Sequence, residues 1–119
     1  MIPYEAPVAD MQFVLRELIQ FDDTKLLPDF EGLDGDLENA ILEEAGKLCS
    51  EVLAPVRQAG DEHGCTWDDG VVTTSPGFSE AWQAFVEGGW TTLSCRAEHG
   101  GQGLPTRISM LVDEMVCST

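Results

Sequence analysis

Apolar side chains recur at helical spacing in four stretches of the chain, and segments rich in glycine and proline separate these stretches. Within each stretch the apolar positions lie three or four residues apart, so they share one face of a helix. The pattern predicts an all-α fold of about four helices. The predicted helices cover residues 7–20, 36–56, 76–87 and 105–116.

Residues near the helix ends support these boundaries. Asp36 is a typical N-cap for the second helix, and Pro55 is expected to kink or shorten its last turn because proline has no backbone N–H. Gly88 and Gly89 are expected to end the third helix. The predicted buried stripe of that helix consists of Phe78, Trp82, Phe85 and Val86.

Residues 60–77, between the second and third helices, follow a different pattern. Asp69-Gly70 is a turn signal between Thr66-Trp67 and Val71–Thr74, which predicts a small β-hairpin. We expect the hairpin to pack on the helices, because a two-stranded ribbon is marginally stable alone. Residues 1–119 are predicted to form a single helical domain, in which 1–35 is an N-terminal extension with one helix and 36–119 is the helical core.

The charge of the chain narrows the possible functions. Six Lys and Arg against 22 Asp and Glu give a net charge of −16, which repels nucleic-acid phosphates and anionic membrane surfaces. No apolar run approaches the roughly 20 residues of a membrane span, and the first residues lack the features of a signal peptide. We therefore expect a cytoplasmic protein without a nucleic-acid partner or membrane span.

Two residue groups are candidate metal sites. The first is His63 and Cys65 with Cys95 and His99, but these pairs lack the usual spacing of zinc ligands. The second is the acidic stretch 29–36, which does not have the glycine that an EF-hand calcium loop requires at its sixth position. Polar loop residues explain both groups better. The four cysteines include no CxxC pair and are expected to be reduced thiols.

The glycine-rich segment 100–105 precedes the fourth helix, where backbone N–H groups can bind phosphate. No Lys-Ser/Thr pair completes a P-loop, and no clear strand precedes the segment. A backbone corner that requires positive φ is the preferred interpretation. Neither histidine can be assigned to a catalytic triad. The residues therefore identify no catalytic, cofactor-binding or metal-ligating side chain.

Seven short sequence segments, here called landmarks, occur in an order along the chain that is more specific than any one of them. Together they resemble the N-terminal helical domain of the acyl-CoA dehydrogenases, within the branch that has an N-terminal extension and includes 3-methylmercaptopropionyl-CoA dehydrogenases. The landmarks are Tyr4–Pro7, Asp10–Leu15, Ile41–Lys47, Val52–Pro55, Gly60–Cys65, Gly88–Trp90 and Glu98–Pro105.

This resemblance implies a longer protein with a middle β domain and a C-terminal helical domain. The family binds FAD between domains and subunits and oxidises the Cα–Cβ bond of acyl-CoA thioesters, with a glutamate base in the C-terminal part. The chain would then be truncated before the middle β domain and inert alone, with no catalytic, cofactor-binding or metal residue of its own.

The resemblance also implies partners for the full-length protein, namely an acyl-CoA substrate, electron-transfer flavoprotein and further copies of itself in a homo-oligomer. The last predicted helix has no C-cap signal before Thr119, which agrees with a truncation. A frayed natural terminus is the alternative explanation. The alternative is a stand-alone acidic helical interaction module without catalysis.

Overall fold

The computed structural model describes residues 3–19 and 26–119. Within these residues the chain forms five α-helices and one antiparallel pair of strands. Two π-helical turns, Val14–Leu18 and Cys49–Leu53, extend the first helix and join the second to the third. The elements are α1 (Val8–Phe13), α2 (Gly35–Leu48), α3 (Ala54–His63), β1 (Thr66–Asp68), β2 (Val71–Thr73), α4 (Phe78–Glu87) and α5 (Thr106–Ser118).

This architecture confirms the predicted all-α fold with about four helices and a small hairpin. Short 3₁₀ turns at Pro28–Phe30, Trp90–Thr92 and Ala97–His99 lie in the connections. None of the helices in the described ranges is long and apolar enough to span a bilayer. The predicted end of the first helix, Gln20, lies outside the described residues.

The N-cap of α2 is Asp34, and the prediction of Asp36 for this role is wrong. Asp34 has an extended backbone (φ −121°, ψ 169°), and its carboxylate accepts a hydrogen bond from the Leu37 N–H at 2.8 Å. Gly35 adopts helical geometry, so Asp36 lies inside the first turn. There its charge still faces the positive end of the helix dipole.

The helical path passes Pro55 and continues to His63, so the predicted end near residue 56 is wrong. The preceding π turn changes the hydrogen-bond register, because the Ala54 N–H bonds to the Cys49 carbonyl five residues earlier. Pro55 then lies in the first turn of α3, where a missing N–H is tolerated. The wide turn therefore accommodates the proline without ending the helix.

The hydrophobic core lies where the first helical segment, α2 and α5 meet. Met11 and Leu15 enter it from the N-terminal side, while Phe13 and Leu18 of the same segment remain exposed. The predicted apolar face of α5 is confirmed, since three of its side chains are almost completely buried. The largest fully buried side chains are Leu15, Leu42, Cys49, Ile108, Val112 and Met115.

The two ends of the described chain meet beside this core. The Tyr4 hydroxyl lies 3.0 Å from the Ser118 hydroxyl, at the last turn of α5. The guanidinium of Arg57 on α3 donates to the Thr119 carbonyl oxygen at 2.9 Å. The N-terminal segment and α3 therefore both hold the end of α5 in place.

The β-hairpin forms as predicted, with Trp67 opposite Val72, but all six strand residues are exposed. The expectation that the hairpin packs on the helices is therefore wrong. Its base is closed by the Ser75 hydroxyl, which donates to the Gly64 carbonyl oxygen at 2.7 Å. This bond joins the segment before β1 to the segment after β2. The strands themselves extend into solvent.

The predicted buried stripe of α4 is wrong for three of its four residues, and the fourth, Phe85, is half-buried. Ala81 is the buried residue of this helix, while Trp82 is 60% exposed and its neighbours Phe78 and Val86 are also exposed. At its start α4 lies close to α3, because a Cβ at Gly77 would come within 2.8 Å of the Val56 side chain. The helix therefore buries Ala81 and turns Trp82 and Val86 outward.

Candidate functional site

The glycine-rich loop before α5 is a closed backbone corner. Gly100 and Gly103 have φ values of 81° and 66°, which confirms the prediction that this segment needs positive φ. The backbone N–H groups of the loop all bond to carbonyl oxygens of the preceding segment. These bonds are Gly101 to Arg96 at 3.0 Å, Gln102 to Thr92 at 3.2 Å, Gly103 to Cys95 at 2.8 Å and Leu104 to Leu93 at 2.9 Å.

These internal bonds decide between the two interpretations of the loop. A phosphate cradle requires backbone N–H groups that point at the ligand without a protein partner. Here the N–H groups from Gly101 to Leu104 already have carbonyl partners. The arrangement therefore favours a structural corner over a phosphate site.

The corner depends on a close approach between backbone segments. A Cβ at Gly101 would overlap the Cys95 carbonyl group, which cannot swing aside as a flexible side chain does. The Gln102 side-chain amide donates to the Gly89 carbonyl oxygen at 3.1 Å, directly after α4. These contacts fix the start of α5 relative to the end of α4.

An open groove of about 640 Å³ lies beside the corner, at the first turn of α5. Its charged side chains are Asp29, Arg96 and Glu98, and Arg96 pairs with Glu98 at 3.4 Å. Two carboxylates and one guanidinium give the groove a net negative charge, which disfavours an anionic ligand. The positive end of the α5 dipole lies nearby but does not reverse this balance. Uncharged residues complete the lining: Phe30, Ser94, Ala97, Gly103, Leu104 and Thr106.

The four candidate zinc ligands are not gathered in one place among the described residues. Within residues 3–19 and 26–119, no three His, Cys, Asp or Glu side chains are grouped as metal ligands would be. His63 is the last residue of α3, and its Nδ1 lies 3.1 Å from the Ala59 carbonyl oxygen of the same helix. His99 lies 3.6 Å from the Glu98 carboxylate, and both side chains are exposed.

The acidic segment 29–36 also has structural roles. Pro28–Phe30 forms a 3₁₀ turn, the Leu33 side chain is buried, and Asp34 caps α2. Asp34, which stands where an EF-hand loop requires glycine, thus serves as a helix cap. The segment carries the chain into α2.

All four cysteines are free thiols. Cys49 is fully buried, and burial raises the pKa of its thiol above the ordinary value, while a hydrogen bond from Thr119 acts in the opposite direction. Cys65, Cys95 and Cys117 are exposed, although Cys117 falls within an apolar helical pattern. The buried thiol therefore behaves as a small core residue that resists ionisation.

The resemblance predicts that this domain on its own exposes apolar surface, and large apolar side chains are exposed on the hairpin and on α4. Trp67 and Val72 lie on one face of the hairpin and are 72% and 64% exposed. Phe78, Trp82 and Val86 form a second exposed group on α4. Helical periodicity marked the α4 residues as apolar, but it carried no signal that they face away from the core.

Comparison with known proteins identifies a relative. The chain is 37% identical over 115 residues to the 3-methylmercaptopropionyl-CoA dehydrogenase of Ruegeria pomeroyi. The chain is similar to an acyl-CoA dehydrogenase. This similarity confirms the resemblance given by the order of the sequence landmarks. No protein-family model matches the chain.

The extent of the match is unequal for the two proteins. It includes 97% of this chain but 20% of the Ruegeria protein. The chain therefore spans about a fifth of the length of the relative it matches.

Proposed function

We propose that this chain is the N-terminal helical part of a longer, FAD-dependent acyl-CoA dehydrogenase. The longer protein oxidises the Cα–Cβ bond of an acyl-CoA thioester. The observation that carries the proposal is the 37% identity along 97% of the chain to a dehydrogenase about five times as long. The closed corner agrees with the proposal, because the resemblance implies a structural role for this loop and places flavin binding elsewhere.

The described residues do not fit a flavin site at the glycine-rich loop. A dinucleotide pyrophosphate needs free backbone N–H groups, and the N–H groups of Gly101 and Gly103 are bonded to the Arg96 and Cys95 carbonyls. We therefore assign FAD, which would accept the β hydride, to the rest of the longer protein. The catalytic base is assigned there as well, and the isolated chain is expected to be inert.

The remaining properties of the proposed full-length protein follow from the family resemblance. It takes an acyl-CoA substrate, passes electrons to electron-transfer flavoprotein and forms a homo-oligomer. Its proposed place in the cytoplasm rests on the composition of this chain instead. The net charge of −16 on this part supports a protein that does not bind nucleic acid.

The first test is the intact mass of the protein from its native source. The proposal expects a mass several times the 13.0 kDa of this chain. The purified longer protein should then show flavin absorbance and reduce an electron-accepting dye when an acyl-CoA is added. The isolated chain is the control and should show neither property.

Two results would contradict parts of the proposal. Bound flavin and acyl-CoA oxidation by the isolated chain would overturn its predicted inertness. A native mass of 13.0 kDa would overturn the dehydrogenase assignment for this chain and support the stand-alone acidic interaction module.

A further inference from the structure

Two Asp-Gly dipeptides occur in the chain, Asp34-Gly35 and Asp69-Gly70. In such a dipeptide the glycine nitrogen can attack the carboxyl carbon of the aspartate side chain, because glycine has no Cβ to obstruct the approach. The new C–N bond closes a five-membered succinimide ring, while the amide proton and the carboxyl hydroxyl leave as water. Hydrolysis of the ring takes up one water and gives either aspartate or isoaspartate, in which the main chain runs through the side-chain carboxyl carbon.

The structure places Asp69 where this ring can close. Within residues 3–19 and 26–119, Asp69 is the residue other than glycine that has a positive φ (43°), and Gly70 follows with φ 83°. They form a two-residue hairpin turn, since Asp68 pairs with Val71. Type I′ and type II′ turns share a positive φ at the first of these positions and differ in the orientation of the peptide plane between them. The plane that carries the attacking nitrogen can therefore rotate toward the Asp69 side chain within a hairpin.

Few contacts hold this turn in its present form. Both strands are three residues long, and all six of their residues are exposed. Asp69 and Gly70 are exposed as well, and a Cβ at Gly70 would meet nothing within 4 Å. A two-stranded ribbon that packs on nothing is marginally stable, so we expect the turn to open readily and admit water to the ring.

The other Asp-Gly dipeptide is held in a different geometry. The Asp34 carboxylate accepts a hydrogen bond from the Leu37 N–H at 2.8 Å and caps α2. Gly35 is the first residue of that helix, and the Glu38 N–H donates to the Asp34 carbonyl oxygen at 3.1 Å. Ring closure at Asp34 therefore requires the cap bond to break and the start of the helix to unwind.

We propose that Asp69 is a modification site of this protein, at which the linkage to Gly70 isomerises through a succinimide to isoaspartate. The reaction needs no partner besides water, and Asp34 keeps its normal linkage in the folded protein. The product adds one carbon to the main chain of a two-residue turn, so the pairing of Asp68 with Val71 is the first to be lost. The hairpin then opens from its turn, and the helices keep their structure.

The test follows both aspartates while the purified protein, at its natural length, ages at neutral pH and physiological temperature. Peptide mapping with electron-transfer fragmentation distinguishes aspartate from isoaspartate, although the two have the same mass. The expected result is isoaspartate that accumulates severalfold faster at Asp69 than at Asp34. The same protein unfolded in urea is the matched control, and there the two dipeptides should react at similar rates.

Two substitutions identify the chemical route. Asp69→Glu should abolish the product, because the longer side chain would have to close a less favourable six-membered ring. Asp69→Asn should react severalfold faster than the original protein and release ammonia, because a neutral amide is attacked more readily than an ionised carboxylate. Asparagine also tolerates the left-handed backbone at this position, so the turn is kept.

The outcomes that overturn the proposal are distinct from these. Absence of isoaspartate at Asp69 after prolonged ageing would exclude the modification. Equal rates at Asp69 and Asp34 in the folded protein would show that the helix cap gives no protection. A preference for Asp69 that persists in urea would assign the difference to neighbouring residues and not to the fold.

Discussion

Replacing Gly101 with alanine should open the backbone corner before α5. The new Cβ would overlap the carbonyl group of Cys95, and a backbone carbonyl can move only with its chain segment. That carbonyl also accepts the hydrogen bond from the Gly103 N–H at 2.8 Å. Relief of the overlap therefore separates the two segments that the corner joins.

The magnitude follows from the bonds that this movement breaks. The bonds from Gly101 to Arg96 and from Gly103 to Cys95 contribute about 1 kcal/mol each, net of solvent. Residual bond-angle distortion adds about 1 kcal/mol. Alanine restricts the unfolded chain and offsets roughly 0.5 kcal/mol of this loss. We expect a loss of about 2.5 kcal/mol in the free energy of unfolding, or roughly 10 °C in melting temperature.

Urea unfolding followed by far-UV circular dichroism measures this loss. Gly32→Ala is the matched control, because a Cβ at Gly32 meets nothing within 4 Å and its φ lies outside the left-handed region. The control should be neutral or stabilising by about 0.5 kcal/mol. A Gly101→Ala variant as stable as the control would refute the closed-corner argument.

Inorganic phosphate provides a second check on the same loop. Because the N–H groups from Gly101 to Leu104 have carbonyl partners, phosphate should not raise the melting temperature above that in chloride of equal ionic strength. Stabilisation by phosphate that disappears in Gly101→Ala would instead indicate an anion site in this loop.

Three further substitutions test the cap, the core and the buried thiol. Asp34→Ala should lower the free energy of unfolding by about 1 kcal/mol, because it removes the bond to the first turn of α2. Leu42→Ala should cost about 3 kcal/mol, because Leu42 is 0% exposed. Burial raises the pKa of Cys49, so the stability that its buried neutral thiol contributes is complete below about pH 9 and is lost as pH rises through the folded-state pKa. Cys49→Ala should therefore reduce the alkaline fall in stability, measured by urea unfolding between pH 7 and 11.

Each of these has a matched control in the chain. Asp36→Ala should cost less than Asp34→Ala, and the reverse order would restore Asp36 as the N-cap. Leu18 is 68% exposed, so Leu18→Ala should be within about 0.5 kcal/mol of the original protein. Cys117→Ala should keep the fall in stability at alkaline pH. Loss of that fall in Cys117→Ala would contradict its assignment to Cys49.

The sequence was sufficient for features that depend on neighbouring residues. Helical periodicity located the helices because residues three and four apart share a face whatever surrounds them. The Asp69-Gly70 turn located the hairpin, since the left-handed backbone of Asp69 (φ 43°) and Gly70 is a local requirement. The corner around Gly100 was predicted for the same reason. The order of landmarks also indicated the dehydrogenase resemblance.

Tertiary structure decided which apolar side chains are covered and which polar atoms are paired. Periodicity could not show that Trp82 faces solvent, because burial of a side chain depends on whether another segment packs against it. Nor could periodicity show that the N–H groups of the glycine loop are already hydrogen-bonded. Their carbonyl partners between Thr92 and Arg96 come close to the loop only in the folded chain. Apolar character and turn geometry are local properties, whereas burial and hydrogen-bond pairing arise from contacts between distant segments.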